Sequence, residues 1–69
     1  MVAWKLVGDG LYQRFDDGVG QNFYIGRCGE KGKAIAWQGL EMVDGDFEQA
    51  DWWHTLREAK RDMSGWKPL

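Results

Sequence analysis

The sequence predicts an α+β fold: an antiparallel β-meander of three to four strands, followed by one C-terminal helix packed on one sheet face. Three observations carry this prediction. Segments of alternating apolar and polar residues fill the strand-rich part, residues 1–43, with glycine-centred turns between them. Residues 46–63 contain no glycine and place apolar side chains at helical spacing. The chain has 69 residues, which fits a single small domain spanning 1–69.

The elements follow in order. Residues 2–7 form a strand with Val2, Trp4 and Leu6 on one face and Lys5 on the other. Gly8-Asp9-Gly10 is a turn, because two glycines around an Asp suit the positive φ angles of a tight hairpin. Residues 11–15 form a second strand, with Leu11 and Phe15 on the core face and Tyr12 and Arg14 opposite. Asp16-Asp17-Gly18-Val19-Gly20 is the next turn. Residues 22–28 form a third strand with Phe23 and Ile25 inward, and Gly29-Glu30-Lys31-Gly32 closes it. Residues 33–38 form a fourth, with Ile35 and Trp37 inward and Ala34 and Ala36 opposite. Gly39 is a bulge or an end, and Leu40–Val43 is open between strand and loop.

The helix is placed at about 46–63. Asp46 is a suitable N-cap, and Gln49 completes a capping-box spacing. Glu48 and Asp51 sit early and Arg57, Lys60 and Arg61 late, as the helix dipole favours. Trp52, Leu56, Ala59 and Met63 form the apolar stripe. Gly65 is expected as a left-handed cap, Pro68 prevents resumption, and residues 64–69 are a short tail.

Composition bounds the function. A chain this short buries roughly 60% of the surface its unfolded form exposes, so its stability is expected to be marginal. One cysteine excludes an internal disulfide, and Cys28 with His54 is too few ligands for structural zinc. The lone cysteine fits a reducing compartment, so the expected location is cytoplasmic. No apolar run approaches a bilayer span and no secretory leader is evident, so no membrane association is expected. At 43% hydrophobic and 14% aromatic the chain is expected to fold, and a net charge of −2 does not suggest non-specific nucleic-acid binding. Within residues 1–43, Lys5, Arg14, Arg27, Lys31 and Lys33 balance Asp9, Asp16, Asp17, Glu30 and Glu41, whereas Asp44, Asp46, Glu48 and Asp51 follow without a base between them.

Candidate chemistry fails on context. Gly26–Lys33 resembles a phosphate loop, but a P-loop's first glycine would fall on Arg27, Ala34 replaces the Ser or Thr, and a strand follows instead of a helix. Asp44-x-Asp46-x-Glu48 lacks the length, the glycine and the distal Glu of a calcium loop. Asp16-Asp17 falls in an exposed turn, where paired carboxylates stay ionised. A Cys28 nucleophile would need His54 beside it. The expectation is therefore no enzyme, no metal and no cofactor.

The aromatics are the informative residues. Trp4, Trp37 and Trp52 are assigned to the core. Trp53 lies off the stripe and Trp66 follows the helix stop, while Tyr12, Arg14 and Tyr24 are placed together on the outer sheet face. Tyr, Trp and Arg are enriched at interaction hot spots, so Tyr12, Arg14, Tyr24, Trp53, Arg57 and Trp66 are the predicted partner-binding residues. The small size, lone cysteine, acidic pI and Met start resemble those of small phage and mobile-element proteins that bind and inhibit a host or defence protein. The expected function is thus a protein-binding module, with a homodimer as a variant. The alternative is nucleic-acid binding by the basic and aromatic outer face. The strand–strand–strand–helix order resembles the sheet-plus-helix DNA-binding domains at integrase N-termini.

Overall fold

The structure, a computed structural model, describes residues 2–15 and 22–67. The expected turn at Asp16–Gly20, with its Asp16-Asp17 pair, and the helix stop at Pro68 lie outside the described residues. The chain forms β1 (Ala3–Gly8), β2 (Leu11–Phe15), β3 (Phe23–Glu30), β4 (Lys33–Val43), β5 (Asp46–Trp53) and α1 (Leu56–Met63). The strands make one antiparallel sheet in sequence order, so the α+β meander is as expected but has five strands.

The extra strand replaces the first half of the expected helix. Leu40–Val43 continues β4, and the backbone turns back at Asp44 and Gly45, with φ of 52° and 87°. Positive φ at both central residues defines the two-residue hairpin that Asp-Gly favours. Pairing then satisfies the backbone groups of Asp46–Trp53 that point toward β4. Asp46 is consequently a strand residue rather than a helix cap. The cap is Thr55, whose Oγ1 accepts from the Glu58 N–H at 3.2 Å and donates to Glu58 Oε1 at 2.9 Å.

A bulge in β5 explains the misleading periodicity. Gly39 pairs with Asp51 and Leu40 with Gln49, so Ala50 is the additional residue. The shift puts Phe47 and Trp52 on one face, although they are five positions apart, and turns Trp53 to the other. An apolar pattern broken in this way loses strict alternation and mimics a helical stripe.

Sheet register also decides which face is covered. Trp4 lies opposite Arg14, Leu6 opposite Tyr12, Tyr12 opposite Ile25, Ile25 opposite Gly39 and Trp37 opposite Trp53. These residues share the face on which α1 packs, against β3, β4 and β5. The core is Phe23, Ile25, Trp53, Ala59 and Met63, with Trp4, Tyr12, Trp37, Leu56 and Trp66 packed around it. The expected inward positions of Phe23, Ile25, Trp4, Trp37, Leu56, Ala59 and Met63 are observed. Those of Leu6, Phe15, Ile35 and Trp52 are not, because all four are exposed. Gly39 is the seat of this packing. A Cβ there would approach Trp53 Cζ3 to 2.8 Å and Met63 Sδ to 2.9 Å, so only glycine lets the helix and β5 close on the sheet.

Candidate protein-interaction surface

The predicted site residues separate into two environments. Arg14 is only 5% exposed and lies on the covered face. One Nη1 donates to the carbonyls of Met63 at 2.9 Å and Trp66 at 2.7 Å, and the guanidinium stacks on Phe23 at 5.5 Å. It supplies donors to carbonyls at and beyond the C-terminus of α1, where the dipole favours a cation. Trp4 supports the same helix end by donating Nε1–H to Ser64 Oγ at 3.1 Å. Gly65 does not adopt the expected left-handed cap. Ser64 is right-handed, and the carbonyls of Asp62 and Met63 receive the N–H groups of Gly65 and Trp66.

Tyr12 is half-buried, edge-on to Trp37 and beneath the Lys60 ammonium at 4.6 Å. Trp53 is 9% exposed and donates Nε1–H to Asp62 Oδ2 at 2.8 Å. This bond, followed by that from Arg61, lowers the Asp62 pKa from its ordinary 3.8. Trp66 packs on Trp53 and edge-on to Phe23. The structure thus brings Arg14, Trp53 and Trp66 together, in the core rather than on a free surface. The sequence assignment of the neighbouring tryptophans is reversed: Trp53 is inward and Trp52 outward. The outer-face grouping of Tyr12 and Arg14 with Tyr24 is also corrected, because Tyr12 pairs with Ile25 whereas Tyr24 pairs with Gln13. Arg57 is exposed on α1.

Tyr24 does lie on the open face. It belongs to a row across all five strands, Lys5, Gln13, Tyr24, Leu40 and Gln49. Gln13 Nε2 donates to the Tyr24 hydroxyl at 3.0 Å. The Tyr24 ring meets Phe47 edge-on at 4.9 Å between centroids, and Lys5 lies over Phe15 at 5.5 Å. Phe47 is 45% exposed. Trp52, 53% exposed, stands on the same face and makes an edge contact with His54. Sequence reasoning missed Phe47 and Trp52 as surface residues. The signal was Asp44-Gly45, the same hairpin dipeptide on which the sequence predicts a turn at Asp17-Gly18.

The acids of β5 occupy the other face of the strand. Glu48 stands directly opposite Glu41, and Asp46 and Asp51 fall on the same side of the sheet. Directly opposed like charges destabilise a strand pair. The ion pairs among the described residues are Arg27–Asp9 and Arg61–Asp62, and neither involves these acids. Asp51 accepts the Trp52 N–H at 2.8 Å. No Lys or Arg occurs between Lys33 and Arg57, so no cation neighbours this hairpin in sequence, and the bases on its side of the sheet are those of α1, Arg57, Lys60 and Arg61.

Cys28 is half-buried in β3 and His54 is exposed after β5. Among the described residues no group of three or more His, Cys, Asp or Glu side chains converges as a metal site. No helix among them is long and apolar enough to cross a membrane. No protein-family model, curated protein sequence or solved structure matches this chain.

Proposed function

We propose that the protein is a small binding module that acts by protein–protein contact through the open sheet face where it meets β5. The observation that carries this reading is the exposure of Phe47 and Trp52 on the face that α1 leaves uncovered, beside Tyr24. A small domain needs every large aromatic for its core, so those left outside it call for a role, and Phe47 and Trp52 are more exposed than Phe15. Aromatic side chains offer large contact area at low entropic cost, and Trp and Tyr dominate binding hot spots. This surface replaces the one first expected. Arg14, Trp53 and Trp66 stabilise the fold, Tyr24 remains in the patch, and Arg57 lies on the opposite side of the sheet. Inhibition of a host or defence protein in the cytoplasm, without catalysis or cofactor, is the role we assign to the contact.

The nucleic-acid alternative is less well supported. Arg14 is committed to α1, Arg27 to Asp9, and the row across the open face contains one cation, Lys5. A photo-crosslinking amino acid at Trp52 tests the protein-binding reading. It should trap a protein that the same label at Arg57 does not, with loss of the adduct on Phe47→Ala. Trapping of a second copy of this chain makes the module a homodimer. Trapping only from Arg57 moves the contact to the helix side and overturns the reading.

A further inference from the structure

The geometry points to β5 as an acceptor strand: its free edge takes an extended segment of a partner protein in which basic and apolar residues alternate. This rests on the protein-binding reading and specifies the partner's chemistry. Among the described residues β5 ends the sheet, pairing with β4 alone, and seven of its eight residues are exposed. A strand in that position presents a row of backbone N–H and C=O groups with no ladder partner. An added strand would place alternate side chains on the two faces of the sheet. On one face they would lie beside Asp46, Glu48 and Asp51, behind which Glu41 adds a further negative charge. On the other they would lie beside Phe47 and Trp52. Lysine or arginine suits the first row and an aliphatic side chain the second, so the two-faced character of β5 defines an alternating basic–apolar sequence, which the bulge at Ala50 interrupts once.

Charge also decides against a second copy of β5. Antiparallel pairing about a two-fold axis would set Asp46, Glu48 and Asp51 against the same acids, and like charges across a strand pair repel. The opposite edge is a poorer template. β1 has six residues against the eight of β5. The acids therefore protect the edge from self-association while leaving it complementary to a basic strand.

The probe is a capped peptide of alternating Lys and Val, about ten residues long so that it spans β5. It is titrated into the isotope-labelled protein to about 1 mM, a range that reaches weak strand addition. The expected result is slowed amide exchange and shifted resonances along Asp46–Trp53, with affinity falling as salt rises. Asp46→Asn with Glu48→Gln should weaken binding roughly tenfold at low salt, as two rim charges do. A Glu–Val peptide should not bind. No perturbation of β5, equal binding by the Glu–Val peptide, or protection confined to β1 overturns the inference. A partner trapped from Trp52 whose capture is indifferent to salt and to the Asp46 and Glu48 substitutions also overturns it, yet leaves the protein-binding reading standing. Loss of the Trp52 adduct altogether removes both.

Discussion

Trp52 and Trp53 are adjacent in the chain and opposite in environment. Trp53 is packed against Gly39, Met63 and Trp66, with its indole N–H on Asp62. Trp52 stands in solvent against His54. The contrast extends to the elements around them. On the covered side a buried Arg14 finds carbonyl acceptors, and no buried side-chain polar atom among the described residues lacks a hydrogen bond. On β5, like charges face each other and backbone groups line a free edge. The lesson is that the part of the sheet beneath the helix is satisfied internally and the β5 edge is not. Under the proposed binding role, the edge where unsatisfied features concentrate is where another molecule would complete the structure.

Truncating each tryptophan tests this contrast most strongly. Trp53→Ala should cost about 3–5 kcal/mol, because it opens a cavity beside Gly39 and Met63, and should leave a domain this small largely unfolded in thermal or urea melts. Trp52→Ala should change stability by about 0.5 kcal/mol or less while abolishing partner crosslinking from a label at Gln49. Equal losses from the two variants would erase the distinction.

Arg14→Leu comes next. It leaves the Met63 and Trp66 carbonyls without their shared donor, and about 2–3 kcal/mol of stability should go with it. Arg14→Lys should recover only part, since an ammonium lacks the planar fork stacked on Phe23. Hydrogen exchange should show the end of α1 opening first.

A smaller effect concerns pH. The Asp62 pKa is lowered in the fold, chiefly by the Trp53 indole and then by Arg61. The stability it contributes is therefore fully present above the ordinary carboxylate value and lost as pH falls through the lowered one. The melting temperature of wild type should exceed that of Asp62→Asn near neutrality, and the gap should close on acidification. A gap independent of pH would show that the carboxylate charge does not matter there.

The smallest effect has the opposite sign. Glu48→Gln removes one member of the opposed pair with Glu41 and should leave the free protein equally stable or more stable by a few tenths of a kcal/mol. The difference should vanish in high salt. A substantial loss of stability would mean that the β5 acids serve the fold.

Much of the fold was legible locally. Turn glycines such as Gly10 and Gly32, both left-handed, delimit their hairpins, and Phe23 with Ile25 marked the core face of β3. Leu56, Ala59 and Met63 located the buried stripe of α1. The site was less legible. Tyr24 was found because its strand alternates cleanly, whereas Phe47 and Trp52 were hidden by the bulge at Ala50 and by acids whose order imitates a helix N-terminus.

The sequence by itself determined a glycine-punctuated α+β fold, because turn chemistry and apolar spacing act over a few residues. The choice between strand and helix for Asp46–Trp53, and between core and surface for Arg14, Trp52 and Trp53, was decided only by tertiary structure. An eleven-residue β4 offers a full ladder to whatever follows it. The helix then covers the face that supplies Gly39 as a seat and Arg14 as a cap, and its partners lie as far as 60 positions apart in the chain. Local propensity does not sense contacts over such separations, and here they outweigh it.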